Sequence, residues 1–381
     1  MKKQIMALLA LAVAQVGLAQ EETSATLYGY VRGEFAFDSR QVVAAREGNY
    51  IDLASPVNKV NGKDLNANPN FNGWGVESRL GVKIAGPEFF GMKSEALIES
   101  HFFGSSDASI NTLALRHAYV KLSSDKVEWL VGQFWHPMFV TNVSPRTYNF
   151  NAGSPFQPFN RSPQIRFSTK GNARLTLAAI TERDFASVGG KANLSALPAF
   201  HAQLQFGNDD KFVGGFGANY KSLKSGLRGE YFGAFTFLAY AKAKLGQNSA
   251  WQIYADYGQN PSELLQLGGV AVDAKGKYKS NNTLALWTEF YGDFTPSFEW
   301  GIFGGYSKDF GFSKNTTPSA TKFGQMVDIK DPLTGKVERQ DLVGTPISTW
   351  RVSPRVGWKS GNTKLTAELD YTSTTYGAWD T

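Results

Sequence analysis

The chain has 381 residues, of which 42% are hydrophobic, 14% aromatic and 19% charged, with 39 Gly, 15 Pro, four His and no Cys. That many aromatics with so little net charge exclude a disordered chain. The missing cysteines exclude disulfide scaffolds, iron–sulfur proteins and thiol enzymes, and a formal charge of +6 is too mild at this length to mark a nucleic-acid binder.

The first predicted element is a targeting segment. Met1, Lys2 and Lys3 make a cationic start, residues 5–18 form an apolar run broken only by Gln15, and Gly17-Leu18-Ala19 has the small-x-small form of a cleavage site. The run is shorter than the ~20 residues a spanning helix needs. Residues 1–19 therefore read as a cleaved secretory signal, with an uncleaved anchor as the alternative. No later stretch approaches a transmembrane helix. The remaining chain, 20–381, is either soluble outside the cytoplasm or embedded as a β-barrel.

Period-2 alternation marks strands. In 26–38, Leu27, Gly29, Val31, Gly33, Phe35 and Phe37 fall on one face, and Thr26, Tyr28, Tyr30, Arg32, Glu34 and Asp38 on the other. In 74–84, Trp74, Val76, Leu80, Val82 and Ile84 oppose Glu77, Arg79 and Lys83. Near the end, Trp350, Val352, Val356 and Trp358 oppose Arg351, Ser353, Arg355 and Lys359, and Leu365, Ala367, Leu369 and Tyr371 oppose Thr366, Glu368 and Asp370. The same reading predicts strands at 26–38, 74–85, 91–103, 111–122, 127–136, 163–170, 173–183, 198–207, 211–220, 232–245, 249–259, 281–292, 297–309, 347–359 and 363–375. No amphipathic helix competes with them.

The connections alternate in length. Short ones at 86–90, 123–126, 171–172, 208–210, 246–248, 293–296 and 360–362 are rich in turn residues. Between them lie mostly long ones at 39–73, 104–110, 137–162, 184–197, 221–231, 260–280 and 310–346. Tight turns at one end and long loops at the other suit an outer-membrane barrel. So do a polar face with several ionisable groups per strand and an apolar face tipped by Trp74, Trp251, Trp350, Trp358 and Tyr371. The expected fold is an all-β, transmembrane antiparallel barrel, and a secreted binding protein with edge aromatics is the alternative. Bacterial single-chain barrels have even strand numbers, so sixteen strands are expected where fifteen are visible. Either the count is wrong or a last loop and strand are missing from this chain, and the second is the favoured expectation.

Tyr28-Gly29-Tyr30-Val31-Arg32-Gly33-Glu34, Trp129-Leu130-Val131-Gly132-Gln133-Phe134-Trp135, Gly153-Ser154-Pro155-Phe156 and the run from Phe159 to Phe167 resemble Gram-negative porins. Among them the chain looks most like the DcaP-like trimeric porins, associated with uptake of dicarboxylates and other small anions. Leu115-Arg116-His117-Ala118-Tyr119-Val120-Lys121-Leu122 is similar to a strand of general porins. The chain departs from the pattern in lacking a terminal strand that ends in an aromatic residue and in its non-acidic third loop.

The resemblance implies passive diffusion of small hydrophilic solutes, a homotrimer in outer-membrane lipid, and a third loop, about 137–162, folded inward as the constriction. From Trp129 to Thr181 there is no Asp or Glu, whereas Arg146, Arg161, Arg166, Lys170 and Arg174 are basic. Face assignment turns Arg32, Arg79, Lys83, Lys93, Arg116, Lys242, Lys244, Arg351, Arg355 and Lys359 to the lumen, against Glu34, Glu77, Glu95, Glu99, Asp256, Glu289, Glu368 and Asp370. The expected constriction and solute residues are Arg146, Arg161, Arg166, Arg116, Arg79, Arg32, Arg351 and Arg355. Concentrated arginine in a narrow pore favours anions and suits carboxylates geometrically. The competing reading is that these charges pair across strands and hydrate the pore.

Two other classes stay open. A barrel hydrolase would need a histidine base, and His101 and His201 fall on lumen faces, but no G-x-S-x-G accompanies them. A surface adhesin or structural barrel could use the loops at 39–73 and 310–346. Asp328, Asp331, Glu338 and Asp341 match no calcium-loop spacing. No cofactor, metal or nucleic acid is expected.

Overall fold

The computed structural model describes residues 23–149, 153–208, 211–330 and 337–377. The predicted signal, 1–19, lies outside them, as do Asp331 and the side chains of Asp328, Glu338 and Asp341. One large antiparallel sheet dominates. Its staves are β1 (Ser24–Tyr30), β2 (Arg79–Phe89), β3 (Met92–His101), β4 (Ala114–Ser123), β5 (Val127–Trp135), β6 (Arg161–Thr169), β7 (Ala173–Ile180) and β8 (Ala199–Asn208). They continue as β9 (Phe212–Lys224), β10 (Tyr231–Lys244), β11 (Ser249–Gln259), β12 (Asn282–Thr295), β13 (Phe298–Asp309), β14 (Val337–Ser360) and β15, which runs as Thr363–Glu368 and Tyr371–Gly377.

Each stave pairs with its neighbours in the chain, from Tyr28 opposite Gly81 in β1–β2 to Arg351 opposite Thr372 in β14–β15. Among the described residues no register joins β15 to β1, so the sheet is open between those two edges.

Burial runs opposite to that of a soluble protein. On β14, Arg351, Ser353 and Arg355 are buried on the concave face, while Trp350, Val352 and Trp358 are exposed on the convex one. On β11, Gln252, Tyr254 and Asp256 are buried and Tyr257 is exposed. Exposed Ile98, Val120, Val131, Ile165, Phe237 and Ile302 continue the convex apolar surface, which is stable only against lipid. Rings band both of its ends. Phe298 stacks on Phe294 and Trp358 beside one tight turn, and Trp350 meets Tyr371 near the loop end. The β2–β3 turn closes on Phe90 and Gly91, both at positive φ (53° and 70°), the geometry whose twist matches a two-residue hairpin.

Two predicted boundaries are wrong in a related way. The strand expected at 26–38 ends at Tyr30, and Glu34–Asp38 leaves the main sheet to pair with Asn70–Trp74 as a separate hairpin. The second stave accordingly starts at Arg79 and not at 74. Phe35 lies against Gly73, where a Cβ would come within 2.8 Å of the ring, so the glycine permits this crossing. Trp74 is therefore no girdle residue. It packs with Val76, Phe103, Phe139, Phe159 and Leu265 in a cluster where several loops meet. The connection expected at 221–231 shrinks to six residues because β9 runs on to Lys224.

The concave face is not uniformly polar. Leu238, Tyr240, Tyr254, Trp287 and Phe303 of β10–β13 form a buried cluster with Met138, Val140, Val143 and Phe156 from the segment between β5 and β6. That segment covers an apolar inner wall.

Candidate functional site

The β5–β6 segment is held by its backbone as well as by packing. Glu289 on β12 accepts the Arg146 amide at 3.1 Å through both carboxylate oxygens. Glu368 on β15 accepts the Tyr148 and Asn149 amides at 2.7 and 2.9 Å. Gln252 donates to the Ser144 carbonyl at 2.8 Å, Lys242 to that of Asn142 at 3.3 Å, and Arg351 to that of Ser154 at 3.0 Å. Trp287 Nε1 donates to Gln157 at 2.6 Å. The Tyr148 hydroxyl donates to Glu299, and burial together with that carboxylate pushes its pKa up. Charge-assisted acceptors on two staves and an apolar wall between them fix one path for the chain.

The eight arginines singled out in the sequence do not form one ring. Arg32, Arg79 and Arg116 make a ladder with Glu34, Glu77 and Glu99, and the Arg116 Nε–Glu99 contact is 2.7 Å. Arg32 also donates to the Tyr148 carbonyl. Arg161 opens β6 and is buried against Asp184 at 2.6 Å. Arg355 pairs with Glu289 at 2.6 Å. Arg351 is buried and donates to Thr372 and to the Asp52 and Ser154 carbonyls. Arg166 bonds Gln164 and the Trp135 carbonyl. Arg146 is the exposed one. Its guanidinium lies 4.4 Å from the Tyr291 ring centroid, and no carboxylate pairs with it among the described residues.

Farther from the loops, the concave face is more open. Its acids have partners: Glu95 with Lys121, Glu128 with Arg174, and Glu299 with both Lys359 and Lys364. Lys83 lies over the Tyr28 ring, and Lys83, Lys93 and Lys244 are exposed with no acidic partner among the described residues. His101 and His201 are buried, with His201 Nε2 3.2 Å from Gln203 Oε1.

The contacts of Glu289 and Glu368 with loop amides could not be read from face assignment, which treated both as pore acids. A signal for the covering segment was present. Met138, Phe139, Val140, Val143, Phe156 and Phe159 are too apolar for a solvated loop, and 232–245 is apolar on both faces.

Asp52, in the β1–β2 connection, accepts from Ser154 Oγ at 3.1 Å and is buried beside Lys322. Burial raises its carboxyl pKa to about 7, against the pull of Lys322, Ser154 and Arg351. A raised carboxyl favours the folded state below that value, because the folded chain then holds the extra proton. Thermal stability should therefore fall as pH rises from about 4 to about 7, and Asp52→Asn should flatten that slope in a melting series. An unchanged slope in the variant contradicts the assignment.

A family model described as Gram-negative porin matches residues 6–288. The outer membrane channel DcaP of Acinetobacter baumannii is similar in fold, with a TM-score of 0.70, 18% identity, and 94% of this chain and 93% of that chain covered. An anion-selective porin from Comamonas acidovorans has a TM-score of 0.54 at 12% identity, covering 93% and 90%. Salmonella typhi OmpF, in complex with daunomycin, has a TM-score of 0.53 at 10% identity, covering 93% and 92%. No curated protein matches the sequence.

Proposed function

Because the chain belongs to the Gram-negative porins and so resides in the outer membrane, we propose that it passes small hydrophilic solutes down their gradients with a mild preference for anions such as dicarboxylates. A homotrimer is part of this proposal, since one similar protein, OmpT of Vibrio cholerae, is described in a trimer form. The segment from 137 to 162 acts as the constriction.

The observation that supports anion preference is an asymmetry of pairing. On the concave face Glu95, Glu128 and Glu299 are engaged by basic side chains, Glu289 and Glu368 by loop amides, and Asp256 and Asp370 by neutral side chains, whereas Lys83, Lys93, Lys244 and Arg146 have no acidic partner among the described residues. Unneutralised cations in a narrow passage raise the local anion concentration. Arg146 and Arg166 then contact the solute, and Arg32, Arg79, Arg116, Arg161, Arg351 and Arg355 shape the passage through their partners. A hydrolase is disfavoured, because the Nε2 of His201 faces an amide and not a hydroxyl.

Liposome swelling tests the proposal. Proteoliposomes should admit succinate faster than a lysine salt of similar size. Equal rates would leave a non-selective pore, and no swelling would remove the channel.

A further inference from the structure

Where β3 ends and β6 begins, a small, partly open cavity of about 20 Å³ is lined by residues of four different connections and strand ends. Its walls include Arg46 from the β1–β2 connection, His101 at the end of β3 and Gly104 after it, Arg161 at the start of β6, and Asp184 and Phe185 beyond β7. We infer that this cavity binds one halide-sized anion, held by the Arg46 and Arg161 guanidiniums, and that the ion ties these loops together.

Arg161, which lines the cavity, has a spare donor. Arg161 is buried, its Nε is used by Asp184 at 2.6 Å, and its Nη1 is buried with no hydrogen-bond partner. An unpaired buried guanidinium N–H is costly unless something accepts from it. Arg46 has only a distant carboxylate, that of Asp107 at 3.7 Å, which is 64% exposed. The neighbourhood is cationic as well. Arg79 and Arg116 also act on His101, and the Arg116 and Arg161 guanidiniums lie 5.6 and 5.7 Å from the Trp135 ring centroid. Glu77 and Glu99 are already shared with Arg32, Tyr30 and Tyr28.

Size selects the ligand. A volume of this order admits about one water-sized particle, so a dicarboxylate does not fit and a single halide does. Asp184 lines the same cavity, but its Oδ2 is turned to Arg161 Nε. The site differs from the open cationic surface carrying Lys83 and Lys93, and it stands whether or not the channel prefers anions.

Anomalous diffraction from crystals of the full chain grown in bromide should show a single peak within hydrogen-bond distance of Arg161 Nη1. The melting temperature in detergent should be higher in sodium chloride than in sodium gluconate at equal ionic strength, because a ligand of the folded state stabilises it. Arg161→Gln should abolish the peak and that difference. Arg46→Gln, a less buried change, should weaken both if the first variant does not fold. An empty cavity in bromide, or equal melting in the two salts, overturns the inference. Reversal potentials of the same variants report separately on permeation, so the loss of one reading leaves the other open to judgement.

Discussion

Removing the two carboxylates that hold the inner segment should raise single-channel conductance and open-channel noise together. Glu289 takes the Arg146 amide, and Glu368 takes those of Tyr148 and Asn149. Each such bond contributes roughly 0.5–1.5 kcal/mol, and up to about 3 where the acceptor is charged. In Glu289→Ala/Glu368→Ala the stretch around 144–149 keeps its Gln252 bond and the apolar contacts of Val143 and Phe156, so the segment loosens without leaving the barrel. A conductance increase of about twofold with added flicker is the expected record. The variant also frees Arg355 from its partner at 2.6 Å, so the reversal potential should move further toward anions. Unchanged conductance would mean that the segment does not set the narrowest point.

The second large effect belongs to Arg146. Its guanidinium lies over Tyr291 with no acid to neutralise it, so Arg146→Glu changes the charge at the inner rim by two units. At ~8 Å and an effective dielectric of ~40, each unit changes an ion's energy by about 1 kcal/mol. Chloride and potassium shift in opposite directions, so the chloride-to-potassium permeability ratio should fall by up to about 4 kcal/mol, on the order of several hundredfold at low salt, and Arg146→Gln should give about half that effect on a logarithmic scale. By contrast, Arg351→Gln should act on stability first, since Arg351 is buried among carbonyls. Equal selectivity shifts for Arg146 and Arg351 would contradict this division.

Much of the architecture was legible because alternation and turn length are local. The faces of 350–359 and 365–371 came out as read, with Arg351 and Arg355 inside and Trp350, Trp358 and Tyr371 outside. Fifteen staves were counted and fifteen stand among the described residues. Local pattern failed where a third partner decided the outcome. The break after Tyr30 depends on Asn70–Trp74, which offers Glu34–Asp38 a different strand to pair with, and alternation through 26–38 is indifferent to that choice.

The site was less legible for the same reason. Lumen-facing arginines could be listed from period 2, but whether each is paired depends on carboxylates on other staves or in other connections. Arg116 finds Glu99, Arg161 finds Asp184 and Arg355 finds Glu289, and Arg146 finds an aromatic ring. Likewise, alternation alone turns Trp287 and Phe303 to a wet pore, whereas the apolar residues of the inner segment cover them.

Single-channel recording in a planar bilayer under a potassium chloride gradient tests most directly the proposal of a conducting barrel whose unpaired cations favour anions. Stable open steps with a reversal potential on the chloride side are expected. A reversal potential on the potassium side, or inserted protein that never conducts, would contradict it.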